Sequence, residues 1–189
     1  MLVNEQRLIF AAQSFRVDRA ELRRMLELLQ ERANGAVELE IAHIVLPDKT
    51  PQEINAFHQA LRDAGVFFIT ITGIDGSQLN GTIAEVFDSP NFPASVATVF
   101  VDSAMKMRNQ NYYPRNSLKL FIDFRKPAIF DFNLMPSHAT ANESTFTVNG
   151  QDVTWVRGVY HEIDNFVRSH MALAGWLHKH RIYDMLLFP

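Results

Sequence analysis

A chain of 189 residues is long enough to bury about two thirds of the surface its unfolded form exposes. With no cysteine, it offers no disulfide framework, thiolate metal site or thiol nucleophile. The formal net charge is −3, and the longest run of aliphatic, aromatic or alanine residues, Leu8–Ala12, falls far short of the roughly 20 residues that span a bilayer.

The first residues, MLVNEQRLIF, place Glu5, Gln6 and Arg7 ahead of any apolar run, so they lack the core of a signal peptide. Together with the absence of cysteine, this sets a cytoplasmic location as the expectation. Leu8–Val17 reads as a strand. Asp18 then marks a helix start, with Glu21 three residues on completing a capping box. Leu22, Met25, Leu26 and Leu29 form its apolar stripe, and Asn34-Gly35 predicts its end.

Val37–Val45 alternates, with Val37, Leu39, Ile41, His43 and Val45 on one side and Glu38 and Glu40 on the other, and so predicts a half-buried strand. Thr50-Pro51-Gln52-Glu53 is a second helix start: a capping threonine, proline at the first helical position and a glutamate reaching back. The stripe Ile54, Phe57, His58 and Leu61 follows and stops at Gly65. His43 and His58 both fall on apolar faces, where a histidine is expected to be a hydrogen-bonded packing residue.

Val66–Thr72 predicts a strand, and Asp75-Gly76 a tight hairpin into LNGTIAEVF. After the break SPNFP, SVATVFV gives another strand. Leu118–Phe124 is a strand by alternation, Arg125-Lys126-Pro127 turns the chain, and Ala128–Leu134 is expected to pair back, followed by polar loop from Pro136 to Glu143. STFTV, Asn149-Gly150 and DVTWV predict a second hairpin. Val156, Val159, Tyr160, Ile163, Phe166, Val167 and His170 then recur at helical spacing, and Leu173, Trp176, Leu177 and His180 continue into a last helix. Fifteen phenylalanines, mostly in strand-like segments, point to an aromatic-rich sheet core.

The expected fold is therefore α+β: a mainly antiparallel sheet of about seven to eight strands, two early helices and a C-terminal helical pair. Residues 1–189 read as a single domain, either alone or as the soluble part of a larger protein or assembly. The apolar residues Trp176, Leu177, Met185, Leu186, Leu187 and Phe188 predict association with a protein partner or a second copy through the last helix.

Motifs for nucleotide cradles, serine-hydrolase elbows and HExxH zinc sites are all missing, so no cofactor is expected. His178 and His180 would lie about 200° apart on a helix and cannot share a metal there, and no metal site is expected. Three looser constellations remain. His161 and Asp164 are neighbours at i, i+3 on a helix, suited to orienting an imidazole for proton transfer. Asp123 and Asp131 interrupt two aromatic strands and would face each other if those strands paired, as two carboxylates that bind a cation or share a proton do.

The third is the loop between Asp102 and Asp123. It contains no acid, carries Lys106, Arg108, Arg115 and Lys119, and adds the ring faces of Tyr112 and Tyr113. Cations interleaved with aromatics suit an anionic ligand or a nucleic acid. The functional expectation is a non-enzymatic binding or regulatory module recognising a partner protein or an anionic ligand, the alternative being a hydrolase using Asp and His.

Overall fold

The computed structural model describes residues 4–11, 15, 17–125 and 143–170. Among them the chain runs β1 (Asn4–Ala11), α1 (Arg19–His43), α2 (Pro51–Gly65), β2 (Ile69–Gly73), β3 (Gln78–Gly81), α3 (Ile83–Phe87), β4 (Val96–Asp102), α4 (Met105–Asn109), β5 (Ser117–Asp123), β6 (Glu143–Gly150) and α5 (Val153–Ser169). The fold is α+β, with an antiparallel sheet of 6 strands among the described residues in place of the seven to eight expected. Their order is β1-β6-β5-β4-β2-β3. The first strand thus pairs with the last across more than a hundred intervening residues.

Alternation along the strands sends one set of side chains to a single core. Phe10, Phe146, Val148, Leu118, Leu120, Ile122, Val99, Val101, Ile69 and Ile71 come from the sheet. Leu22, Met25, Leu26, Leu29 and Ala33 of α1, Ile83, Val86 and Phe87 of α3, and Val156, Val159, Ile163 and Val167 of α5 close over them, so these three helices share one face of the sheet. A smaller cluster of Val37, Leu61, Ala64 and Met107 attaches α2 and α4 to the second half of α1.

Local signals set the helix starts. Asp18 and Glu21, Thr50 and Glu53 both form reciprocal capping boxes, as expected. A third box, Thr82 with Glu85, ends the expected hairpin partner after Gly81 and starts α3. The Asp75-Gly76 turn is present: Gly76 has φ 82°, and the Asp75 carboxylate accepts from the backbone and hydroxyl of Ser77.

Three expectations are corrected. Val37–Val45 is not a strand: α1 passes through Asn34-Gly35 and ends at His43. Ala33, Ala36, Val37 and Glu40 extend the buried stripe of Leu22, Met25, Leu26 and Leu29 at helical spacing, so packing on both halves overrides the stop signal. Asn149-Gly150 is not a hairpin turn, because β6 pairs through both residues with β1, and Asp152 caps α5 by accepting from the Trp155 N–H. Glycine is required at position 150 for a different reason: a Cβ there would lie 2.4 Å from the Asn116 Oδ1. Finally, the first strand is Asn4–Ala11 rather than Leu8–Val17, set by pairing of Asn4 with Gly150 through Ala11 with Glu143.

The strand expected at Ala128–Leu134, the turn at Lys126-Pro127, the loop from Pro136 and the last helix from Leu173 lie outside the described residues, so only the first member of the C-terminal helical pair, α5, is among them. No helix among the described residues is long and apolar enough to cross a membrane.

Candidate anion-binding face

The loop between β4 and β5 is held from both ends. Ser103 exchanges hydrogen bonds with Leu118: its N–H donates to the Leu118 carbonyl at 3.0 Å and its hydroxyl accepts from the Leu118 N–H at 2.9 Å. Asp102 accepts from the Ala104 N–H at 3.0 Å and pairs with Arg108, which α4 swings back over it. Asn111 then adopts φ 60°, the single positive φ outside glycine among the described residues, and reverses the chain.

Beyond that reversal the loop is tied to the helices. Glu40 is 1% exposed, on the buried stripe of α1. Its Oε2 accepts from the Tyr112 hydroxyl at 2.9 Å, and its Oε1 accepts from the backbone N–H groups of Arg115 and, at 3.0 Å, Asn116. Asn116 in turn accepts from the Gln151 N–H at 3.0 Å. A buried carboxylate is tolerated here because three donors surround it. Burial, and after it the hydrogen bond to Glu40, pushes the Tyr112 phenol up to about 12.

The loop's charged and aromatic residues accordingly separate. Tyr112 is an anchor, packed edge-on against Phe57 with ring centroids 6.4 Å apart. Tyr113 projects from the surface, 74% exposed, and the Arg115 side chain is exposed as well. Lys106, Arg108 and Lys119 gather toward the sheet face opposite the helices. The Lys106 Nζ lies 4.8 Å from the Phe68 ring centroid and the Lys119 Nζ 5.3 Å from that of Phe100.

Strand register adds a residue that the loop alone does not reveal. Lys119 is opposite Asp102 on one side and Thr147 on the other, and Thr147 is opposite Arg7. Arg7, Thr147, Lys119 and Asp102 therefore form one row across four strands, with Arg108 on Asp102 and Lys106 over Phe68 at its end. Two residues along the strands, Ile9, Thr145, Phe121, Phe100, Thr70 and Asn80 form the next row. It is aromatic and hydroxylic, and the Thr70 hydroxyl donates to the Asn80 side-chain Oδ1 at 2.8 Å. The signal for Arg7 was the alternation of Glu5, Arg7 and Ile9, the exposed residues of β1.

The acid-base candidates do not converge. Asp164 accepts from the Arg168 Nε with both oxygens at 2.8 Å, while His161 is exposed on α5 with its ring edge against Tyr160. Asp123 is held by Arg125 through both oxygens, at 2.9 and 2.6 Å, and those hydrogen bonds keep its carboxyl below the usual carboxylate range. Asp131 lies outside the described residues. No three His, Asp or Glu side chains among the described residues are grouped as a metal site requires.

Of the histidines, His43 is exposed, its Nδ1 2.7 Å from the Leu39 carbonyl at the end of α1. His170 stacks on Phe166 and lies 3.5 Å from Glu21, which joins the end of α5 to the start of α1. No protein-family model, curated protein or solved structure matches the chain.

Proposed function

We propose that the protein is a non-enzymatic binding module that recognises an anionic partner through the cationic row on the outer face of its sheet. The observation that carries this reading is the register: it sets Arg7 in line with Lys119, although the two are more than a hundred residues apart in the chain. The single acid within that row, Asp102, is already paired with Arg108. Lys106 lies near enough to Glu85 to help hold that carboxyl below its ordinary range, and Lys119 is opposite Asp102, yet both lysines rest over aromatic rings, which keeps their heads at the surface. The hydrolase alternative has no comparable support, since Asp123 and Asp164 each hold an arginine with both oxygens.

The test uses inorganic polyphosphate as probe, titrated against the protein at several salt concentrations. If Arg7, Lys119 and Lys106 engage a flexible polyanion, the logarithm of affinity should fall with the logarithm of salt with a slope of about −2. Arg7→Gln and Lys119→Gln should each weaken binding, and together abolish it, with an unchanged urea midpoint, because exposed charges contribute little to stability. Arg108 is the wrong residue to replace, since its loss also strands the buried Asp102. Affinity that is insensitive to salt, or unchanged in the double variant, overturns the reading.

A further inference from the structure

The two rows on the outer face differ in chemistry, and their order selects among anionic partners. The basic row spans Arg7 to Lys119 across two strand intervals, about 10 Å, and continues through Arg108 to Lys106. Phosphates spaced along a chain fit such a line. A single small anion does not, because the cations are spread over the sheet rather than gathered round one point.

The neighbouring row lies about 7 Å away and offers what a bare polyanion does not need. Phe100 and Phe121 are direct cross-strand partners and half-buried, flanked by Thr70 and Thr145, with the exposed Ile9 beyond. Rings set in a sheet with hydroxyls between them provide stacking faces and hydrogen-bonding groups at one level. Lys119 links the rows: its ammonium lies over the Phe100 ring, and a phosphate that draws it off that face frees the ring for the base beside it.

Resting on the function proposed above, we infer that the anionic partner is a single strand of nucleic acid, its phosphates along Arg7, Lys119, Arg108 and Lys106 and its unpaired bases on Phe121 and Phe100. A duplex keeps its bases stacked on one another and leaves the aromatic row unused. Stacking platforms beside a basic track are the means by which sheets bind single strands with little sequence preference.

The experiment compares four probes by fluorescence anisotropy or competition: a 12-nucleotide oligouridine, a duplex RNA of equal length, inorganic polyphosphate, and vesicles of phosphatidylserine. The oligouridine should bind most tightly. Phe100→Leu and Phe121→Leu preserve apolar volume while removing the ring face, and each should weaken oligouridine binding about tenfold. Polyphosphate binding should be unchanged in both. A 5-iodouridine oligomer, which needs no variant, should photocrosslink to the β4 or β5 peptide that carries Phe100 or Phe121.

Polyphosphate, duplex or vesicles binding as tightly as oligouridine, or phenylalanine variants without effect and crosslinks elsewhere, would overturn the inference while leaving the cationic row as an anion site. If neither oligouridine nor polyphosphate binds, both readings fall. Should one leucine variant lose its cooperative melt, the other variant, the probe ranking and the crosslink still decide.

Discussion

Replacing Glu40 tests how the loop is held. In Glu40→Ala the Asn116 N–H, inside the protein, loses its acceptor, at a cost of about 1–3 kcal/mol for a buried unsatisfied donor. The Arg115 N–H and the Tyr112 hydroxyl are only partly buried and can turn to water, so each adds less, about 0.5–1 kcal/mol. The expected loss is about 3 kcal/mol. Glu40→Gln keeps one oxygen to accept both N–H groups and sets an amide against the Tyr112 hydroxyl, which can rotate to accept. It loses only the charge assistance and should cost about 1 kcal/mol. Urea denaturation of the three proteins measures the difference, with equal m-values establishing that the same transition is compared. An alanine variant within 0.5 kcal/mol of the parent, or a glutamine variant as unstable as alanine, would refute the assignment of Glu40 as a three-donor clamp.

Two further outcomes are expected. Gly35→Ala should stabilise the protein by about 0.5–1 kcal/mol, because Gly35 lies within α1, its φ is not positive and nothing lies within 4 Å of an added Cβ; a loss of stability in thermal melts would instead favour a helix stop at that position. The fold favours neutral Tyr112, whose phenol is raised to about 12, so its contribution is complete below the unfolded value near 10 and is lost as pH rises from about 10 to 12. Tyr112→Phe should flatten that alkaline decline, followed by denaturant midpoints between pH 9 and 11.5, and an unchanged slope would remove Tyr112 as its cause.

What could be read in the sequence was local. Asp18 with Glu21 and Thr50 with Glu53 reveal helix starts because a cap needs only residues three apart. The strand β4 was visible from its run of β-forming residues, and the core face of β5 from its alternation. The second half of α1 was misread because Glu40, a charged residue, occupies a position on the buried stripe, where it masks the helical period and leaves an apparent alternation with Glu38. Nothing near Glu40 in the chain announces its partners, which lie more than 70 residues later. Likewise Arg7 stands beside Lys119 only through the pairing of both strands with β6. The loop's cations were legible as a group; their division between an anchored side and an outer row depends on those distant contacts.

The net charge of −3 does not weigh against an anionic ligand on the outer face. On the helical side the acids are largely matched by arginines: Glu27 pairs with Arg23, and Glu31 and Glu162 with Arg32. A sheet and the layer packed on it are separated by about 10 Å, and surface charges are screened over about 8 Å at physiological salt. A phosphate on the outer face therefore responds mainly to the nearby cationic row, while the acids of α1 and α5 lie beyond the core. A cationic row of this kind needs the loop fixed in place, and Glu40 fixes it by drawing Tyr112 and the backbone of Arg115 and Asn116 toward α1. The buried acid and the exposed bases are parts of one arrangement: the clamp takes the hydroxyl and the backbone donors, and Lys106, Arg108 and Lys119 remain at the sheet.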